Sequence, residues 1–266
     1  MNNILHKVQK YLSQVSDNPV AISDKLVEEF GESCKAAIRK QFSEKRRENF
    51  KPRISSIGRP LCQLQMESKG IKGEGQPYNV KIRNTFGDLI ESLAIFVMKS
   101  AGVEVKDEQK KVSYKFEKSQ IDGQLDVKID DKVWDIKSAS PYSFEKKFGE
   151  GGWIVINKST GEWTVCETPV VDTEYKKKAI DTAVENFKAL ESKVPFKRCF
   201  DAVEETFRTK PTGNKVLGTA CSFCPYKLPC WGSGLQLLPQ QQSKGKNPKW
   251  VWYTEVNNPK QEEASA

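Results

Sequence analysis

Two acidic residues and a lysine on neighbouring predicted strands could bind a metal ion together. Residues 119–140 read SQIDGQLDVKIDDKVWDIKSAS, and apolar or small residues alternate with polar ones on both sides of a turn at 130–131. Asp122 lies on the first predicted strand, whereas Asp135 and Lys137 share one face of the second. Carboxylates hold a hard cation such as Mg²⁺, which polarises a phosphate and acidifies a water that the lysine positions. The spacing therefore predicts metal-assisted phosphodiester hydrolysis.

A buried helix and several further strands must position these groups. The segment FGDLIESLAIFVMKSA, residues 86–101, is largely apolar and predicts a helix buried on most sides. Within it, Glu91 is either a third acidic partner or part of a thin polar stripe. Strand patterns at 111–118, 153–157 and 162–166 and an amphipathic helix at 174–190 accompany the hairpin. This order predicts an α/β fold of the α+β type.

The cysteines predict a second site. Seven cysteines in a chain of 266 residues without an export signal favour metal or cluster ligation over disulfides. Three of them form a C-x₂-C-x₅-C run, Cys221, Cys224 and Cys230, and Cys62 lies far from this run in the sequence. Four thiolates suit either a [4Fe-4S] cluster or tetrahedral zinc, and the spacing leaves both open. The remaining three are predicted to be small core residues: Cys34, Cys166 and Cys199.

Composition narrows the class of protein. The net charge of +8 favours a polyanionic partner such as nucleic acid, although solubility alone also explains such a charge. The sequence lacks an apolar run of membrane-helix length and the apolar centre of a signal peptide, so we expect a soluble, cytoplasmic protein without membrane contact. Histidine-based triads are excluded, because the single histidine, His6, is far in sequence from every candidate site.

The two motif sets resemble those of one enzyme family. IDGQLDVKI followed by VWDIKSAS resembles the core of the PD-(D/E)XK nucleases, in the RecB-like exonuclease branch. The C-x₂-C-x₅-C run together with the distant Cys62 in GRPLC resembles the split four-cysteine motif of the iron–sulfur RecB-like nucleases, including the CRISPR-associated exonucleases and phage-encoded relatives. The resemblance covers approximately residues 54–231. It implies a restriction-endonuclease-like core at 54–194, with a central mixed sheet flanked by helices, and a cluster region at 195–238. Apolar residues at helical spacing predict a helical region at 1–53, and composition predicts a polar tail at 239–266.

The resemblance also implies an activity and roles for the site residues. It implies a metal-dependent DNA nuclease that acts on single-stranded ends with Mg²⁺ or Mn²⁺, beside a partner protein in recombination, repair or a CRISPR-type system. Glu91 stands where many relatives have a histidine, and it would bind the metal with Asp122, Asp135 and the backbone carbonyl of Ile136. Lys137 would be the catalytic lysine. The [4Fe-4S] cluster, or zinc instead, would tie the C-terminal segment to Cys62.

One departure from the family concerns DNA binding. RecB-like nucleases carry a Q-x₃-Y motif on the helix after the D-x-K strand, but this chain has no glutamine between Gln124 and Gln236. The connection from Ser140 to Trp153 also leaves room only for a very short helix. Tyr142 with Lys146 or Lys147 could replace part of that surface. The alternative is a nucleic-acid-binding protein that keeps the fold with weakened activity or without it.

Overall fold

The computed structural model describes residues 3–43, 50–51, 53–56, 58–75, 77–116, 119–146, 152–167, 173–240 and 249–257. The helices in chain order are α1 (Asn3–Asp17), α2 (Asp24–Phe42), α3 (Leu61–Ser68), α4 (Asn79–Ser100), α5 (Pro141–Lys146), α6 (Thr173–Glu191), α7 (Thr219–Ser222) and α8 (Lys227–Trp231). The strands are β1 (Lys111–Phe116), β2 (Ser119–Gln124), β3 (Val127–Ile129), β4 (Lys132–Ala139), β5 (Trp153–Asn157), β6 (Trp163–Cys166), β7 (Val203–Phe207), β8 (Lys210–Val216), β9 (Gln236–Pro239) and β10 (Trp250–Glu255). The predicted α+β class is therefore confirmed.

The chain divides into two compact units. The first comprises Met1–Glu48, Pro52–Ile57 and Pro77–Thr182, and the second comprises Asn49–Lys51, Gly58–Gln76 and Ala183–Ala266. Residues 58–76, which the sequence analysis placed with the 54–194 core, thus belong with the C-terminal part of the chain. Within the described residues, no helix is both long and apolar enough to span a bilayer.

The first unit is built on a mixed sheet with the order β3-β4-β5-β6, in which only the β4–β5 pair is parallel. A two-residue turn joins β3 to β4, and both of its residues, Asp130 (φ 47°) and Asp131 (φ 58°), adopt the left-handed conformation of a hairpin turn. Aspartate tolerates that conformation because its short polar side chain hydrogen-bonds locally. The predicted hairpin and its turn are therefore confirmed.

The predicted first strand of that hairpin is in fact two strands. β2 pairs with β1 in a separate two-stranded sheet, and β3 begins only after a break at Leu125 and Asp126. Alternation alone could not locate this break, because the apolar and small residues continue in the same phase through it. The correction matters for the site, since Asp122 lies before the break.

The core of the first unit lies between this sheet and helices α1 and α4. Trp134 and Ile136 of β4 are 4% and 5% exposed, and they pack with Ala94 and Met98 of α4. Successive residues of a strand point to opposite faces, so Asp135 and Lys137 lie on the other face of β4 and are partly exposed. The buried face thus fixes which side chains of β4 remain available for chemistry.

The second unit contains an antiparallel sheet with the order β7-β8-β10-β9. Its interior holds a carboxylate, Glu205, that is 5% exposed and accepts hydrogen bonds from Thr212 Oγ1 (2.8 Å), Asn214 Nδ2 (2.8 Å) and Tyr253 OH (2.7 Å). Part of the predicted polar tail therefore belongs to this sheet, because β10 pairs with β8 and β9. Tyr253 of β10 is fully buried there. Residues 241–248 and 258–266 of that predicted tail lie outside the described residues.

Candidate functional site

Two carboxylates meet at the start of the β3–β4 hairpin in the first unit. Asp126 immediately precedes β3, and its Oδ2 accepts a hydrogen bond from the backbone N–H of Ile136 over 2.9 Å. Its carboxyl group is also hydrogen-bonded to that of Asp135. Lys137 Nζ donates to Asp135 Oδ1 over 2.7 Å. The structure therefore brings two carboxyl groups and one ammonium group together, as the sequence predicted, but with a different first aspartate.

The pKa of Asp126 is raised by burial and by the neighbouring Asp135 carboxyl group. Burial raises the pKa of Asp126, and the hydrogen bond with Asp135 raises it further, to about 6. The Ile136 N–H and the charge of Lys137 act in the opposite direction and lower this pKa. Two carboxyl groups this close together concentrate negative charge that a cation would offset.

Glu91 of α4 lies near this pair of carboxyl groups. Burial raises the pKa of Glu91, and the negative charges of Asp126 and Asp88 also contribute, so that the pKa reaches about 7 despite the opposing charges of Lys40 and Lys137. Glu91 therefore lies within electrostatic reach of both Asp126 and Lys137. The role of Glu91 as a third acidic partner stays a prediction, and its closeness to Asp126 supports that role over a place on a thin polar stripe.

Asp122 lies on the other sheet of this unit. It pairs with Ser113 across β1 and β2, and its Oδ1 accepts hydrogen bonds from Ser113 Oγ (2.8 Å) and Gln120 Nε2 (2.6 Å). Asp126 therefore replaces Asp122 in the candidate site. The sequence held the signal for this correction, because a two-residue turn at 130–131 pairs Val127 with Trp134 and so places residue 126 beside residue 135.

Gln109 is a site residue that the sequence analysis missed. Its side-chain amide donates to Glu91 Oε1, and its backbone N–H donates to the Asp126 carbonyl over 2.9 Å. Its own carbonyl accepts from Gln124 Nε2 over 2.8 Å, and its φ of 51° is unusual for a residue with a side chain. Gln109 thus links the helix that carries Glu91 to Asp126 in the break before β3. A polar loop without a motif gave no sequence signal for it.

The helix after β4 is very short, as the sequence predicted. α5 spans Pro141–Lys146 in the crossover between the parallel strands β4 and β5. Its Tyr142 is 63% exposed. Of the two lysines considered as substitutes for part of the family's Q-x₃-Y surface, Lys146 is the last residue of α5, and Lys147 lies outside the described residues.

Five cysteines lie near one another in the second unit, one more than the predicted ligand set. The backbone N–H of Cys62 donates to Cys199 Sγ over 3.1 Å. Burial, the hydrogen bond with the Cys199 side chain and the nearby Cys230 raise the pKa of Cys62 to about 12. Burial raises the pKa of Cys230, and the nearby Cys221 and Cys224 raise it further. Cys199 is exposed, so its predicted place in the core is wrong, whereas Cys34 and Cys166 are partly buried.

The donor atoms fit the predicted metals by type. Among the described residues, no three His, Cys, Asp or Glu side chains are grouped tightly enough to hold a metal ion as they stand. Mg²⁺ in proteins is commonly held by one or two carboxylates with waters and substrate phosphates, which the Asp126–Asp135 pair can supply. Thiols are the ligands that zinc and iron–sulfur clusters prefer. The carboxylate pair therefore suits a hard cation, and the five thiols suit a soft one.

Comparison with known proteins adds little to this description. No known protein family matches the chain, and no curated protein sequence is similar to it. Among solved structures the chain is similar to one described as "Crystal structure of SSO0001", with 12% sequence identity and a TM-score of 0.38. The similarity covers 74% of this chain and 93% of that chain. A similarity at this level carries no argument, so the functional conclusion rests on the geometry of the two sites.

Proposed function

We propose that the protein is a metal-dependent nuclease of the PD-(D/E)XK type, in its RecB-like branch, that hydrolyses phosphodiester bonds of DNA. The observation that carries this proposal is the pairing of Asp126 with Asp135 beside the ammonium group of Lys137. Glu91 contributes a third carboxyl group. Asp126 and Asp135, with the backbone carbonyl of Ile136, would hold Mg²⁺ or Mn²⁺.

The chain's own groups divide the work of hydrolysis. A bound divalent cation supplies the Lewis acid that polarises the phosphate and acidifies a water molecule. The Asp135 carboxylate fixes the Lys137 ammonium group, which also lies 5.9 Å from the ring centroid of Trp153. Held between these two groups, Lys137 can orient the attacking water and offset the charge that develops on the phosphate. Glu91, which accepts a hydrogen bond from Gln109, would be a further carboxylate ligand of the cation.

Single-stranded DNA ends are the proposed substrate. The excess of positive charge favours a nucleic acid, and the exposed ring of Tyr142 on α5 offers a surface on which an unpaired base can stack. The branch in question works in recombination, repair and CRISPR-type systems, so a partner protein of that kind in the cytoplasm belongs to the proposal.

The cysteines form the second half of the proposal. We propose that they hold a [4Fe-4S] cluster, with zinc as the alternative, and that the metal centre is a structural staple. It would join α3, which carries Cys62, to the segment of Cys221, Cys224 and Cys230. A brown anaerobic preparation that absorbs near roughly 400 nm is expected for iron. A colourless protein with stoichiometric zinc contradicts the cluster and supports the alternative.

The test of the nuclease is degradation of end-labelled single-stranded DNA with Mn²⁺. The wild type is compared with Asp135→Ala and Lys137→Ala, and Asp131→Asn in the exposed hairpin turn serves as the control. We expect degradation by the wild type and the control, and its loss in both site variants. Wild-type degradation that both site variants retain would rule out the assigned site.

A second candidate function follows from the shortness of α5. The six residues of α5 leave little helix on which to place the DNA-contacting surface that the family carries there. A protein that binds single-stranded DNA without cutting it therefore remains the alternative. Binding of the labelled strand without any degradation, in Mg²⁺ and in Mn²⁺, supports this alternative over the nuclease.

A further inference from the structure

A fifth cysteine lies against the predicted ligand Cys62. Cys199 belongs to the segment between α6 and β7, 137 residues along the chain from Cys62. Its Sγ accepts the backbone N–H of Cys62 over 3.1 Å, and the two side chains are also hydrogen-bonded to each other. Cys199 is exposed, whereas Cys62 is partly buried. The two thiols therefore occupy the same end of α3.

Cys199 is also close to the cysteines of the C-terminal motif. Cys199 helps to raise the pKa of Cys62, Cys221 and Cys230, after the larger effect of burial on each. These three thiols come from α3, α7 and α8. Cys199 thus lies within electrostatic reach of all three segments that would supply ligands.

The neighbouring Arg198 holds this segment on α8. Its guanidinium carbon lies 4.6 Å from the ring centroid of Trp231, and its charge lowers the pKa of Cys230. The Trp231 side chain hydrogen-bonds Cys221, and an indole N–H can only donate. Cys199 is therefore tethered to the cysteine motif through the residue next to it.

We propose that Cys199 is a fifth ligand-competent thiol, able to replace Cys62 in a four-thiolate set completed by Cys221, Cys224 and Cys230. A tetrahedral zinc site or a [4Fe-4S] cluster takes four thiolates, so five leave one over. In the exchange, Cys199 releases its proton to solvent as it binds, and the departing Cys62 thiolate takes one up. No electron moves, and the charge and ligand number of the centre are unchanged. This inference rests on the metal centre of the proposed function.

Metal content and thiol protection test the exchange. The full-length wild type, Cys62→Ala, Cys199→Ala and the double variant are reconstituted with Fe²⁺ and sulfide, and separately with Zn²⁺. Cys34→Ala is the matched control, since this partly buried cysteine lies on α2 in the first unit. Each single variant is expected to keep at least about half of the wild-type metal per chain, and the double variant less than about a tenth. Loss of the metal in Cys62→Ala alone, or full metal content in the double variant, overturns the proposal.

Iodoacetamide labelling decides the matter even where the double variant fails to fold. In metal-loaded Cys62→Ala, Cys199 is expected to resist labelling until a chelator removes the metal. Equal labelling of Cys199 with and without metal overturns the proposal. In the loaded wild type, a short pulse is expected to label both Cys62 and Cys199, whereas complete protection of Cys62 with all of the label on Cys199 contradicts exchange. A wild type that binds neither metal instead overturns the metal centre itself, and the nuclease assay remains an independent test of the first unit.

Discussion

The backbone N–H of Ile136 donates to the Asp126 carboxylate over 2.9 Å, so the strand that carries Asp135 and Lys137 also fixes the other aspartate. A hydrogen bond to a carboxylate is stronger than one between neutral groups, and it has a defined direction. It therefore holds one Asp126 oxygen on β4 and leaves the other available for the Asp135 carboxyl group or for a cation.

This contact predicts which aspartate the activity needs. Asp126→Asn keeps an oxygen that can accept the Ile136 N–H but removes the charge, so we expect kcat/KM on single-stranded DNA to fall by at least about 100-fold. Asp122→Asn is the matched control, because its side chain can still accept from Ser113, and its rate is expected to stay within about threefold of wild type. Equal losses in the two variants would contradict the assignment of Asp126.

Gln109 should act through metal affinity and not through the chemical step. Gln109→Ala removes the amide that holds Glu91, so we expect Mn²⁺ binding to weaken about tenfold while kcat at saturating Mn²⁺ stays near wild type. Calorimetric titration and the Mn²⁺ dependence of the rate measure the two effects separately. Gln124→Ala, which removes only the contact to the Gln109 carbonyl, should give a smaller change. A lower kcat with an unchanged Mn²⁺ dependence would exclude this positioning role.

Glu91 should lower the stability of the metal-free protein at high pH. Its pKa rises from 4.5 to about 7, so its stabilising contribution is complete below pH 4.5 and is lost as the pH passes through 7. After screening by solvent, Glu91→Gln is expected to raise the free energy of unfolding at pH 8 by about 1 kcal/mol and to change it little at pH 4.

Hydrogen exchange of the α4 and β4 amides in the presence of a chelator measures this effect. Added Mg²⁺ should then stabilise the wild type more than Glu91→Gln, since the variant has one ligand charge fewer. A variant that is less stable than the wild type at pH 8 without metal would contradict the prediction.

The contribution of Glu205 to the stability of the protein should have the opposite pH dependence. Burial disfavours its charge, but the hydrogen bonds from Asn214, Tyr253 and Thr212 outweigh burial and lower the pKa below 4.5. Its contribution is therefore present above pH 4.5 and is lost as the pH falls through the lowered pKa. Glu205→Gln is expected to cost about 1–3 kcal/mol at pH 7, because its NH₂ group meets donors, and less in acid.

Amide exchange in β8 and β10 provides the measurement for Glu205, because Asn214 and Tyr253 lie on these strands. The neighbouring Glu204 is exposed on the same strand, so Glu204→Gln serves as the control and should be neutral. A Glu205→Gln protein with wild-type exchange at pH 7 would show that the buried network contributes little.

The limits of prediction from sequence differ between the parts of the site. The turn residues Asp130 and Asp131 and the alternation through Trp134 and Ile136 identify the hairpin, because both signals are local. Asp126 could have been found by counting the register back from that turn. The break before β3 could not, because β2 leaves the hairpin to pair with β1, and that choice depends on tertiary packing.

Gln109 and Cys199 were beyond sequence reasoning for another reason. Gln109 reaches Glu91 only because a loop with left-handed residues at Asp107 and Gln109 turns back toward α4. Cys199 reaches Cys62 across 137 residues of chain. Neither contact is marked by a periodic pattern or a motif in the sequence, so each is visible only in the folded chain.

The tight turn at Asp130 and Asp131 also bears on the order in which the protein assembles. Asp126 and Ile136 are ten residues apart, so closing the hairpin brings the carboxylate pair together in a fast, local event. The thiols must instead wait for contacts across more than a hundred residues, whose loop-closure entropy is larger. During synthesis the hairpin can form before Cys199 and the C-x₂-C-x₅-C run have been translated, so a nascent chain would acquire its carboxylate pair well before its set of sulfur ligands is complete.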